Sequence, residues 1–490
     1  MTTLSSALNY ALSGLSVSSA KSALVSRNVS FASDENYTRR TADIISLPGG
    51  GAALSGISRS TDRSLLDKLM ESRSISAGSD VTLAALNRIG ATVGDPENDT
   101  SLPAILGKLQ QALSSFESNP ASSVLAAGAL EASRDVVQKI RGISTELNDI
   151  RAQADASMQD SVDHINSLLS QFKVVNDAIV RGVGSASEHA ETLDQRDSIL
   201  KSLSEEIGIR TVTRSGNDVT IYAEGGTILF EGRPRSVKFV ASTPLTIGST
   251  GSAVQIDGVP VTGSSAVMPI VSGRLASQGK VRDELIPLMQ TQLDAITSNL
   301  IRRFSESDQS MSPSLPDAAG LFVDGSSGAV PLAGEIAIGI SSRLSLNPLA
   351  DPQNGGDPML IRDGGFGGAA YIYNTNGYPA FQGRIGELAD SFDVVDPLDP
   401  DAALGTSGSL KSLSIEAAAG VEMRRQAAQA SSDTAAAVHT RSSEALLRIT
   451  GVNIDEEMAA LLDLEKSYQA SSKIISVVDN MLTNLLNAVR

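Results

Sequence analysis

Residues 454–489 read IDEEMAALLDLEKSYQASSKIISVVDNMLTNLLNAV, with no proline or glycine. Apolar side chains recur there at steps of three and four: Ile454, Met458, Leu461, Leu464, Tyr468, Ile475, Val478, Leu482, Leu485 and Val489. An apolar period near 3.5 residues is what a helix needs to wind around another helix. The opposite end carries the matching pattern in Leu4, Leu8, Ala11, Leu15, Val25 and Val29, with Ser18 and Ser22 completing the stripe. The spacing predicts a helix over residues 4–29, interrupted only by Gly14, and a second helix at the C-terminus. The candidate assembly interface is therefore Leu4, Leu8, Leu15, Val25 and Val29 together with Met458, Leu461, Leu464, Tyr468, Ile475, Val478, Leu482, Leu485 and Val489. Tyr468, on the stripe, is expected in the core.

Working inward, residues 30–58 are polar and glycine-rich and predict a loop or short hairpin. Helical spacing returns from Arg59 to about Val93 and stops at GDPENDTSLP. A shorter helix is predicted from Leu102 to Phe116, a very long one from Ala121 to about Arg181, and another from Ser187 to Ile207. About sixty helical residues would span about 90 Å, the dimension of a rod. At Gly208 the period changes to two, and alternation around Ser215-Gly216-Asn217 and Gly225-Gly226 predicts a β-meander reaching about Val271. Helix resumes over 273–304. Residues 305–405 are dense in Gly and Pro, and 410–490 are helical again.

The order predicts an α+β multidomain chain: a long α-helical coiled-coil rod formed by N- and C-terminal segments, with inserted β-rich domains. Residues 1–38 with 450–490 form the terminal assembly domain. Residues 39–207 with 273–310 and 405–449 form the helical rod. Residues 208–272 are the β-rich insertion, and 311–404 a Gly/Pro-rich mixed region. The terminal stripes narrow to Ala and Ser between Leu15 and Val25, so they bury little area. Fixing a backbone is costly. The ends are therefore expected to be weakly ordered in a free monomer and to order on subunit packing; the alternative is that both close one intramolecular bundle.

The charge is −17, from 39 basic and 56 acidic residues. Without a basic stripe, neither nucleic acid nor an anionic membrane is an expected partner. The absence of Cys excludes disulfides, thiolate metal sites and Cys nucleophiles. The N-terminus lacks a basic n-region and an unbroken apolar h-region, so no Sec signal peptide is expected. His164, His189 and His439 are the only histidines, and none has metal-ligand spacing. The loop from Asp351 to Asp357 lacks the twelfth-position Glu of a calcium loop and is expected to be a plain turn. The Gly364–Gly368 run lacks the Lys-Ser/Thr of a P-loop, and no G-x-S-x-G occurs. Neither a cofactor nor an enzymatic activity is expected. The Arg196-Asp197 and Arg282-Asp283 pairs lie on helices at domain junctions, where a salt bridge fixing two domains is the expected role.

Four segments carry a family resemblance. Residues 11–40, ALSGLSVSSAKSALVSRNVSFASDENYTRR, are similar to the N-terminal signature of flagellar rod, hook and hook-associated proteins at Ser13, Gly14, Leu15, Asn28, Tyr37 and Arg39. Val29 replaces Ile; Arg27, Ser30 and Phe31 depart from the Asn-rich core, and Asn36 stands where Gly is usual. Residues 190–226, beginning AETLDQRD, resemble the "LLDQRD" helix and strand pair of the flagellar hook-associated protein 1 family, the junction proteins between bacterial hook and filament. Residues 271–296, VSGRLASQGKVRDELIPLMQTQLDAI, resemble that family's RD-containing helix, and residues 450–490 its C-terminal helix. Asn453 or Asp455 is expected to cap that helix, with Glu456 and Glu457 favouring its N-terminal dipole.

The resemblance implies a structural role in the bacterial flagellum. It implies export through the type III apparatus without a cleaved signal, under a cytoplasmic chaperone that binds the C-terminal helix. It further implies assembly outside the cell into a homo-oligomeric ring between the hook protein and an adjacent hook-associated protein. The terminal helices would form an inner tube, and an outermost domain would be reduced or absent. Competing readings are another flagellar axial subunit of hook or filament type, or a secreted hydrolase or adhesin with a helical oligomerisation stalk.

Overall fold

The computed structural model describes residues 2–488 apart from 49, 95–97, 183 and 243–244, and leaves aside the side chains of 2, 3, 485, 486 and 488. Helix α1 (Thr2–Ser30) leads to an antiparallel hairpin, β1 (Arg40–Ser46) and β2 (Ala52–Arg59). Helices α2 (Arg63–Val93), α3 (Leu102–Ser118), α4 (Ser123–Arg181) and α5 (Ala186–Glu206) follow. Gly14 does not interrupt α1, because surrounding helix formers and packing outweigh one glycine.

Helices α2, α4 and α5 each start at a polar cap. Asp62 accepts from the Leu65 amide, Ser122 from the Leu125 amide, and Ser185 and Glu188 close a capping box. Helix α4 ends at Gly182, whose φ of 61° is the left-handed conformation that favours glycine.

The meander is two small sheets rather than one. Strands β3 (Ile209–Thr213), β4 (Val219–Ala223) and β5 (Ile228–Phe230) form an antiparallel sheet. Strands β6 (Val237–Lys238), β7 (Gln255–Ile256) and β8 (Val259–Pro260) form the other. Helix α6 (Arg274–Lys280) then passes through a π-turn, Val281–Leu285, into α7 (Ile286–Arg303).

The Gly/Pro-rich region folds into short pieces: β9 (Phe322–Asp324), α8 (Ile340–Arg343), β10 (Leu344–Leu346), α9 (Leu360–Asp363), α10 (Gly383–Asp390), β11 (Asp396–Pro397) and β12 (Ser407–Gly408). Phe304, at the C-terminal end of α7, meets Phe322 and Phe392 of this region edge to face, at centroid distances of 4.8 and 6.0 Å. The region is therefore docked on the rod and shares its core. Asp351 accepts from the Gln353 amide in a plain turn.

The C-terminal helical run is divided. Helix α11 (Leu410–Thr450) stops at Gly451, and α12 (Ile454–Ala488) begins after Asn453, whose Oδ1 accepts from the Asp455 amide at 3.0 Å. Helix α11 lies along α2, and α12 pairs with α1. Two apolar cores lie along α4. Its N-terminal half joins α3 and α7 through Leu109, Phe116, Ile140 and Ile296; its C-terminal half joins α5 and the sheets through Ile165, Phe172, Leu200 and Phe230.

Arg282 ties these halves together. It is fully buried, donates to Asp155 of α4 at 2.6 Å and to the Ser252 carbonyl at 2.8 Å, and pairs with Asp283. A Cβ on Gly251 would come within 2.4 Å of the guanidinium carbon, so the loop passes because that residue has no side chain. Arg196 departs from the expected salt bridge: it donates to the Asn217 carbonyl at 2.7 Å, reaching the β insertion through a backbone dipole.

Candidate assembly site

Small residues let α1 and α12 approach closely. The Ser18 and Ser467 hydroxyls lie 3.3 Å apart, and a Cβ on Gly14 would touch the Ser471 hydroxyl at 3.4 Å. The seam is shallow. Leu4, Leu8, Leu15, Val25 and Val29 are half-buried, as are Leu461, Leu464, Ile475 and Leu482. Val478 alone among the interface candidates with described side chains is buried. Met458 and Tyr468 are 47% and 48% exposed, so Tyr468 is not in the core of the single chain. It lies on the flank of the helix pair, because α12 has one partner helix and the stripe is wider than one partner covers. The Leu485 side chain and Val489 lie outside the described residues.

Sequence reading missed Leu24, which is buried where the stripe pointed to Val25. It also missed a second apolar row. Leu462, Ile474, Val477 and Met481 on α12, with Tyr10 and Leu12 on α1, are exposed. The doublets Ile474-Ile475 and Val477-Val478 were the available signal, since two adjacent apolar residues widen a stripe beyond one seam.

At the base of the pair, four distant segments meet in a polar knot. The Asn28 amide donates to the Arg40 carbonyl and to Glu457 Oε2, both at 3.0 Å, while its Oδ1 accepts from the Tyr37 hydroxyl at 2.8 Å. Glu457 Oε1 accepts from Arg39 Nε at 2.7 Å. Arg40 reaches Asp194 of α5 at 2.9 Å and lies over the Tyr37 ring, 4.8 Å from its centroid. Arg59 bridges Asp194 at 2.9 Å and Asp197 at 2.5 Å, and Thr38 also donates to Asp194.

The signature residues Asn28 and Arg39 thus bind the C-terminal Glu457, Tyr37 holds Asn28, and the adjoining Arg40 binds Asp194 of the Leu-Asp-Gln-Arg-Asp motif. Asn28, Tyr37, Arg40, Asp194 and Glu457 are all buried. Burial pushes the Tyr37 hydroxyl above its ordinary pKa, opposed by the nearby Arg40 and Arg27 charges. A buried charged network of this kind is worth little as glue but is costly to break one partner at a time. It fixes the direction in which the helix pair leaves the rod.

Among the described residues no group of three or more His, Cys, Asp or Glu side chains is placed to hold a metal ion, and no helix is long and apolar enough to cross a membrane.

Residues 86–310 match the family described as the flagellar hook-associated protein FlgK helical domain, and residues 445–488 match the flagellar basal body rod FlgEFG protein C-terminal family. The chain is similar to flagellar hook-associated protein 1 of Salmonella typhimurium, at 25% identity over 264 residues, 51% of this chain and 47% of that protein. The corresponding Escherichia coli protein is 25% identical over 52% of this chain and 48% of its own. These matches span about half the length of those relatives. The Bacillus subtilis protein of that name is 21% identical over 100% of this chain and 99% of its own. The solved hook junction protein FlgK of Burkholderia pseudomallei aligns at a TM-score of 0.43 and 20% identity over 53% of this chain and 47% of that one.

Proposed function

We infer, from the match of residues 86–310 to the flagellar hook-associated protein helical domain and of residues 445–488 to the flagellar basal body rod C-terminal family, that the chain is a structural, non-enzymatic subunit of the junction between hook and filament. The observation that carries this reading is the unfilled apolar surface of the helix pair, attached to a rod of that family. Neighbouring copies complete that surface in a ring, with the terminal helices inward and the sheets outward. The candidate interface residues named above, together with Leu462, Ile474, Val477 and Met481, make the contacts.

The ring's neighbours are the hook protein and the next hook-associated protein. Before assembly, the exposed apolar rows of α12 suit a cytoplasmic export chaperone that covers the helix, and the subunit leaves the cell through the flagellar export route without a cleaved signal. No observation favours a filament subunit, a hydrolase or an adhesin.

The test is deletion of residues 455–490. The remaining chain is expected to stay folded and soluble but to leave a null strain without filaments. Normal swimming of that strain would overturn the assignment.

A further inference from the structure

The Gly364–Gly368 run, which lacks the residues of a nucleotide loop, is filled from within the chain. Glu306 lies three residues beyond the end of α7 and is 1% exposed. Its Oε2 accepts from the Gly367 amide at 2.9 Å, and the amides of Phe366 and Gly365 also favour its charge. Gly365 holds a φ of 98°, in the region that favours glycine, which lets successive amides point to one side. The main chain of Glu306 pairs with that of Ala318 through two hydrogen bonds of 2.8 Å. A Cβ on Gly367 would come within 2.5 Å of Ala318 Cβ, so the turn closes on this pair because residue 367 has no side chain.

The carboxylate is answered mainly by backbone dipoles. Arg384 is the cation whose charge acts on it, but that guanidinium donates to the Ser305 carbonyl, pairs with Glu387 and lies over the Tyr373 ring, 4.5 Å from its centroid. Burial pushes the Glu306 carboxyl above its ordinary pKa, opposed by the three amides and by Arg384. A desolvated charge of this kind is tolerated only while the amides around it keep their places. Glu306 and Gly367 are 61 positions apart, with β9, α8, β10 and α9 between them. Their contact therefore closes the whole excursion onto the end of α7.

We propose that the Gly364–Gly368 turn is a carboxylate-binding nest whose ligand is the chain's own Glu306, and that this clasp controls the local opening of residues 307–366 from α7. Phe304, with Phe322 and Phe392, supplies the apolar half of the same docking. Glu306 supplies the polar half and fixes where the returning chain must cross. The clasp is distinct from the apolar assembly surface, and the inference does not depend on the hook–filament reading.

The experiment is hydrogen exchange of full-length Glu306→Ala, with sodium formate replacing sodium chloride at constant ionic strength. In chloride, the amides of residues 364–372 are expected to exchange at least tenfold faster than in the parent, while those of α4 stay unchanged. Formate, a free carboxylate small enough for the space the side chain vacates, is expected to restore most of that protection and to leave the parent unaffected. Glu306→Gln keeps the size of the side chain without its charge. It is expected to fall between the two without responding to formate, and it carries the test if the alanine variant does not fold. Parent-like exchange at residues 364–372 in either variant, or equal exchange of the folded alanine variant in formate and chloride, would overturn the proposal.

Discussion

The rod core and the terminal pair are both built from long helices, yet they finish differently. Around α4, Leu109, Phe116, Ile140, Phe172 and Ile296 lose essentially all contact with water. Along α1 and α12 most of the apolar stripe is half-covered, and a second row is bare. Helices α3, α5, α7 and the sheets surround α4, whereas α12 has α1 alone for most of its length. A helix with several partners completes its own core; a helix with one partner leaves a surface for other chains.

The comparison is broken most directly by equal damage to both regions. Phe116→Ala removes a fully buried ring and is expected to cost about 3–5 kcal/mol in chemical denaturation. Leu464→Ala, from the half-covered seam, is expected to cost under about 1 kcal/mol in the monomer while blocking assembly in a filament-growth assay. Equal losses in both variants would erase the distinction.

Asn28→Ala removes the amide that joins α1, the hairpin and Glu457, and is expected to cost about 2 kcal/mol because it leaves buried partners unpaired. Amide exchange should quicken in α1 and α12 and stay unchanged in the α4 core. Uniform quickening would mean that the knot supports the whole fold and not the joint alone.

A smaller effect follows from His439 on α11. Burial lowers its pKa below the ordinary value, with Arg73 adding to the effect and Glu205 and Glu35 opposing it. The unfolded chain binds the proton near pH 6.5, whereas the folded chain resists until lower pH. Stability is therefore expected to fall as pH drops from about 7 toward 5, and His439→Gln should flatten that part of the pH profile. An unchanged profile in the variant would remove His439 from the account.

The smallest effect is expected for Tyr468→Ala in the monomer, under about 0.5 kcal/mol, as for an ordinary surface site. A cost above about 2 kcal/mol would restore Tyr468 to a core.

The contrast also explains what could be read from residues alone. Strong periodicity announced α4 and α12, and the change of period at Gly208 announced the sheets. Local chemistry offered Asn453 or Asp455 as the cap of α12, and Asn453 takes that role. The knot was not legible, because Asn28 and Glu457 are 429 positions apart and nothing local in either signals the other. The choice of Leu24 over Val25 was hidden for a related reason: a one-residue shift in the buried stripe depends on how two helices cross. The exposure of Tyr468 depends on how many partners α12 has, which periodicity does not count.

Hydrogen exchange of the isolated chain, compared with the assembled junction, tests the central claim most directly. The account predicts that amides of α1 and α12 exchange much faster than those of α4 in the monomer and become as slow as α4 after assembly. Protection of α1 and α12 equal to that of α4 in the dilute monomer would contradict it.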